Sequence, residues 1–233
     1  QMAATGKAIT YRELDELSNQ GAHLFRALSL KAGDHIAFLM ENRLAFMEIC
    51  WAAQRSGLYY TAISRYLTEE EIAYIVKDCG AKVFITTPQC ADKVKGLIKG
   101  EPGEPLFFMV DEPAPGFRSW DKEAIAMPVT PIADEVAGYD MLYSSGTTGR
   151  PKGCILPNEY FLWAGHWYAE LGGLCEIRPG VERMITPLPL THMNAMAYST
   201  MCVLLTGGCL IAVDRFHPRT WWDSVRESRA TVM

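Results

Sequence analysis

Apolar positions along this chain switch repeatedly between a helical period and short continuous runs. Leu14, Leu17, Leu24, Phe25 and Leu28 recur on one face, which predicts an amphipathic helix. Thr10 and Glu13 frame its start as a capping box, the threonine serving as N-cap and the glutamate reaching back. Residues 35–40 then read as a buried strand, 44–56 as a helix with Gly57 placed for a left-handed cap, and 59–63 as a second strand. Thr68 and Glu71 make another capping box, and the acids at 69–71 favour the positive end of the helix dipole. Ile72, Ile75, Val76 and Cys79 form that helix's apolar stripe, which ends at Gly80. A strand at 82–86, a short helix at 91–98 and a strand at 106–110 complete a first α/β unit.

Residues 111–138 contain Pro113, Pro115, Pro128 and Pro131 without sustained periodicity and read as a connection. A second unit opens with a strand at 139–143. It continues with helix 159–171, strand 183–186, helix 194–205, strand 209–213 and a helix at about 218–228. The alternation predicts an α/β fold, helices covering largely parallel sheets, with units at 1–138 and 139–233. The final Ala230-Thr231-Val232-Met233 looks like the opening of a buried strand, so the chain is expected to be the N-terminal piece of a longer protein. Tyr160, Trp163 and Trp167 share a helical face that is expected to pack into the core, as are Trp221 and Trp222.

Composition narrows the function classes. The chain has 233 residues, 49% of them hydrophobic, enough to bury a large core in one or two domains. A net charge of −5 without a Lys/Arg cluster argues against a nucleic-acid partner. The longest apolar stretch, 201–213, is broken by Thr206, Gly207 and Gly208 and is shorter than the roughly 20 residues of a membrane helix. Seven cysteines without a C-x-x-C pair fit reduced thiols and a cytoplasmic location better than a zinc site or a disulfide framework.

The densest chemistry lies at 143–153, Tyr-Ser-Ser-Gly-Thr-Thr-Gly-Arg-Pro-Lys-Gly. Glycines allow close backbone approach, and successive N–H groups in such turns form anion nests. Ser144, Ser145, Thr147 and Thr148 add hydroxyls, and Lys152 adds a mobile positive charge, a set suited to a polyphosphate. The spacing is not that of G-x-x-x-x-G-K-[ST].

This run resembles the signature loop of the adenylate-forming superfamily, which includes acyl-CoA synthetases, peptide-synthetase adenylation domains and firefly luciferase. Ile9-Thr10-Tyr11-Arg12-Glu13-Leu14 is similar to an early element of the same family. Pro187-Leu-Pro-Leu-Thr-His-Met-Asn-Ala195 is similar to the segment that ends in its substrate-side histidine. The resemblance implies a two-step acid–thiol ligase: a carboxylate attacks ATP to give an acyl-adenylate, then a thiol, usually that of coenzyme A, displaces AMP. It assigns Ser144, Ser145, Gly146, Thr147, Thr148, Gly149 and Lys152 to the phosphates of ATP, and Thr147 to magnesium. Lys152 and His192 are the implied catalytic residues, the first beside the leaving pyrophosphate and the second beside the acyl carboxylate and α-phosphate. Arg150 is expected to face solvent.

Amino-acid-activating relatives carry F-D-x-S near Leu190-Thr191-His192-Met193; the missing aspartate favours an uncharged fatty or aryl acid. Asn194, Met196 and Ala197 are candidates for its pocket wall, with helix packing as the alternative. The family's Y-G-x-T-E and T-G-D elements and its C-terminal lysine do not occur, so the piece alone is expected to be inactive. An adenylation domain loading a carrier protein and a non-catalytic nucleotide-binding module are the alternatives.

Overall fold

The computed structural model describes residues 1–144 and 149–233. Helix α1 (Tyr11–Ala27) starts where the sequence indicates: Glu13 N–H donates to Thr10 Oγ1 at 3.1 Å, and Thr10 N–H donates to Glu13 Oε2 at 2.7 Å. It leads through β1 (His35–Leu39), α2 (Leu44–Arg55) and β2 (Tyr59–Ile63) to α3 (Glu69–Asp78), which carries the second complete capping box. β3 (Ala81–Thr86) and β4 (Leu106–Met109) follow; the helix expected at 91–98 is instead two short 3₁₀ turns.

The proline-rich stretch is not a bare connection. It forms β5 (Arg118–Ser119) and α4 (Trp120–Ile125), and Trp120 is fully buried with its indole N–H donating to Glu48 Oε1 at 2.7 Å. Asn19 and Gln20 on α1 donate to the carbonyls of Val129, Ile125 and Met127, so α1 buries polar groups that satisfy this segment's backbone. Gly21 lets Ala52 and Trp120 approach, since a Cβ there would lie 2.6 Å from that of Ala52.

The chain then enters β6 (Tyr139–Ser144), which with β7 (Lys152–Leu156) joins the same sheet, in the order β5-β4-β3-β1-β2-β6-β7. All pairs are parallel except β6–β7. β1 to β2 steps one way and β2 to β3 returns past β1, so right-handed crossovers put α2 and α3 on opposite faces. Phe38 meets Phe46 of α2 edge-to-face, whereas Ala37, Leu39 and Phe84 pack with Ile72, Ile75 and Val76 of α3.

Two compact units result. The larger comprises 10–41 and 45–156, and the smaller comprises 1–9, 42–44 and 157–233. The strand entering the glycine-rich run therefore belongs to the first sheet. The smaller unit contains α5 (Asn158–Ala169), β8 (Arg183–Thr186), a π-helix at Asn194–Thr200, α6 (Met201–Thr206), β9 (Cys209–Ala212) and α7 (Trp221–Glu227). Parallel β8 and β9 are flanked by both chain ends: Ile185 N–H donates to Val232 O, and Ala3 N–H donates to Ala212 O, each at 2.9 Å. The aromatic face of α5 is not core, because Trp163 is 75% and Trp167 56% exposed. Trp222 is exposed as well.

Within the larger unit, Asp140 on β6 is buried against Tyr60 and Cys50, and its Oδ1 has no hydrogen-bond partner among the described residues. Burial raises its carboxyl to about 7, against an opposing hydrogen bond from Tyr60. Between about pH 4 and 7 the folded chain therefore binds a proton that the unfolded chain has released. Stability falls as pH rises through this window, by on the order of 4 kcal/mol. Asp140→Asn is expected to melt well above the parent at pH 8, with the advantage shrinking towards pH 4. Thermal unfolding at both pH values checks this, and equal differences at both would contradict it.

Candidate functional site

Gly138 sets the entry to the glycine-rich hairpin. A Cβ there would lie 2.3 Å from Leu58 O, so only glycine passes this close to the end of α2. Its N–H donates to Gln54 O, and Tyr139 N–H donates to Leu58 O, which aligns β6 beside β2. β6 and β7 pair antiparallel from Asp140–Leu156 to Ser144–Lys152. Ser144 and Lys152 are thus direct cross-strand partners, with side chains on one face of the hairpin. Both are exposed, and the Lys152 side chain has no hydrogen bond or ion pair to another described residue. Gly149 is exposed too. Ser145, Gly146, Thr147 and Thr148 lie outside the described residues. Arg150 faces solvent as expected, yet its guanidinium sits 5.3 Å from the centre of the Tyr74 ring.

His192, in the smaller unit, is exposed at the start of a helix. Asn194 N–H donates to its Nδ1 at 3.4 Å, which makes Nδ1 the acceptor and, in the neutral ring, Nε2 the N–H donor. The helix beyond is not the regular α-helix expected from its apolar pattern. Residues 194–200 are π-helical before α6 begins, and Thr200 Oγ1 donates to Ala195 O at 2.7 Å. π-turns of this kind are rare and concentrate at functional sites. Ala195, Met196 and Ala197 are buried, whereas Asn194 is exposed.

A residue that sequence reasoning missed holds this segment. Asn42 is 5% exposed; its Nδ2 donates to Leu188 O at 2.9 Å and Val213 O at 2.8 Å, and its Oδ1 accepts from Leu190 N–H at 2.8 Å. The carboxamide fixes the Leu188–Leu190 turn ahead of His192 and ties it to the end of β9. Its only sequence signal was a polar residue directly after a buried strand. Neighbouring Thr186 supports the same turn by accepting from Leu188 N–H at 3.3 Å.

No group of three or more His, Cys, Asp or Glu side chains converges among the described residues. Among the described residues, no helix is long and apolar enough to cross a membrane.

An alternating α/β chain carrying a Ser/Thr/Gly hairpin closed by lysine, and a separate histidine at a helix start, has counterparts among known proteins. The AMP-binding enzyme family matches residues 2–233, and the chain belongs to that family. It is 30% identical over 229 residues to a feruloyl-CoA synthase of Amycolatopsis sp., covering 98% of this chain and 43% of that protein. It is 26% identical to a crotonobetaine/carnitine–CoA ligase of Proteus mirabilis, covering 99% and 46%. Fold likeness extends to the Mycobacterium tuberculosis fatty acyl CoA synthetase, with a TM-score of 0.81 at 24% identity over 95% of this chain and 42% of that one. It extends also to the anthranilate CoA ligase AuaEII in complex with anthranoyl-AMP, with a TM-score of 0.84 at 19% identity over 97% and 44%. The chain spans less than half the length of these relatives.

Asn42→Ala strands two carbonyls and one N–H in a buried turn, and is expected to destabilise the protein by about 2–4 kcal/mol. Denaturant unfolding measures this. A loss below about 0.5 kcal/mol would mean that water replaces the carboxamide without cost.

Proposed function

We propose that this chain is the N-terminal part of an ATP-dependent acid–CoA ligase. In this reading a fatty or aryl acid is activated as its acyl-adenylate and passed to the thiol of coenzyme A. The carrying observation is the register of the β6–β7 hairpin, which sets Ser144 opposite Lys152 at the two ends of a Ser/Thr/Gly run. Family membership and the relatives' names, a feruloyl-CoA synthase and a crotonobetaine/carnitine–CoA ligase, support the same assignment.

The chemistry needs little from a general base. A carboxylic acid with a pKa of about 4 is already ionised at pH 7. What it needs is a way to bring two anions together. The carboxylate oxygen attacks the α-phosphorus, the bond from that phosphorus to the bridging oxygen breaks, and the electron pair leaves with pyrophosphate. Ser144, with Ser145, Gly146, Thr147, Thr148 and Gly149, would donate to the phosphate oxygens, and Lys152 would neutralise charge growing on the leaving group. His192, presenting Nε2–H, would donate to the carboxylate or α-phosphate as negative charge gathers there. Such positioning can account for roughly 7–11 kcal/mol in favourable intramolecular reactions. Magnesium accompanies ATP in this class of reaction and supplies charge neutralisation on the phosphates.

The test is acid-dependent exchange of pyrophosphate into ATP by the full-length protein, across short, long, aromatic and amino acids. Exchange with a fatty or aryl acid is the expected result. Lys152→Ala is expected to lower the rate by about 10²–10³-fold, the usual loss for a donor aimed at developing charge. His192→Ala is expected to lower it by a similar factor, with each acid's preference rank unchanged. No exchange with any acid, in protein that binds ATP, would overturn the ligase reading.

A further inference from the structure

Both stems of the glycine-rich hairpin are tied to the last turns of α3. On the entering stem, the Tyr143 hydroxyl donates to Asp78 Oδ2 at 2.7 Å. Asp78 closes α3, and its other oxygen accepts from the Tyr74 hydroxyl at 3.2 Å. On the returning stem, Arg150 lies over the ring of the same Tyr74. One helix end therefore contacts the hairpin immediately before Ser144 and again two residues before Lys152.

The Tyr143 ring is also confined from the strand side. It is the cross-strand partner of Gly153, where a Cβ would lie 3.0 Å from its Cζ and 2.5 Å from Met141 Cε. A side chain at 153 would crowd this ring, which would have to give by a few tenths of an ångström, so the glycine after Lys152 leaves the ring its place against Asp78. Burial first, and then the Asp78 carboxylate, hold the Tyr143 phenol well above its ordinary value, so it remains a donor throughout the physiological range. Strand alternation puts Tyr143 and Gly153 on the face towards α3, and Ser144 and Lys152 on the other.

We propose that Tyr143 is a positioning residue for the phosphate site: clamped between Gly153 and the Asp78–Tyr74 pair, it fixes the hairpin so that Ser144 and Lys152 meet the nucleotide in a single arrangement. Arg150 belongs to the same device, its charge parked on Tyr74. Asp78 is exposed, so the cluster adds little to global stability. Its consequence falls on ligand geometry. The inference rests on reading the hairpin as the phosphate site.

Tyr143→Phe keeps the ring and removes the hydroxyl, and Asp78→Asn keeps one acceptor and removes the charge. Both are compared with Lys152→Ala in the full-length protein, by pyrophosphate exchange at varied ATP and varied acid, beside thermal melts. Each substitution is expected to raise KM for ATP by about 10-fold, the equivalent of one good hydrogen bond. KM for the acid should stay at the parent value, and the double variant should be no worse than the single ones, because both remove one interaction. An unchanged KM for ATP in Tyr143→Phe, with Lys152→Ala impaired, overturns the positioning role and leaves the phosphate site standing. A fall in maximal rate that tracks the melting temperature, with KM for ATP unchanged, overturns it equally and makes the cluster purely structural. Exchange unaffected by Lys152→Ala would instead overturn the phosphate-site reading beneath it.

Discussion

The antiparallel ladder between β6 and β7 decides where the polar groups of the glycine-rich hairpin go. Every other pairing in the seven-stranded sheet is parallel, and a parallel neighbour cannot return the chain to its own starting end within eight residues. Only a hairpin can hold Ser144 and Lys152 side by side across so short a run. Because side chains alternate, the same register sends Tyr143 and Gly153 to the opposite face, where α3 receives them. A slip of β7 by one residue along β6 would turn its side chains over, putting Lys152 on the face of Tyr143 and α3.

A second constraint governs the segment before His192. A turn that runs Pro-Leu-Pro-Leu out of a buried strand has backbone groups that cannot reach a ladder, and two prolines that donate nothing. Asn42 meets this need with one carboxamide, using both of its donors and its acceptor, and so links strand exit, turn and helix start. The helix that follows opens in the π form, with the Thr200 hydroxyl as an additional donor. Histidine orientation thus comes from the polar scaffolding around it more than from the apolar pattern on which the segment was first read.

Physically, joining a carboxylate to a polyphosphate is a problem of mutual repulsion. In the proposed reaction the two candidate groups would divide it: a lysine ammonium at the end of the hairpin, and an imidazole donor at a helix start. Neither side chain would have to move a proton for the attack to proceed. This fits groups that are exposed, in contrast to the buried Asp140, whose charge is costly where it sits.

The sequence by itself determined the local events. Both capping boxes, the strands at 35–39, 59–63 and 183–186, the glycine-rich run and the histidine were legible, because a cap or a buried strand is written in a few consecutive residues. The fate of residues far apart in the chain was decided only by tertiary structure. The proline-rich stretch looked like a linker because its partners, Glu48, Asn19 and Gln20, lie some 70 to 110 positions away. β7 escaped notice because Lys-Gly-Cys-Ile-Leu has weak strand character and forms a strand by pairing with β6 at the sheet edge. The aromatic stripe of α5 has the spacing of a core face, but spacing carries no information on whether a neighbour covers it, and here all three of its rings are exposed. Asp78 had no signature at all, and Asn42 had only that of a polar residue shortly after a buried strand. A polar side chain acquires a role from the groups that chain folding brings within 3 Å of it, and that proximity is a property of the fold.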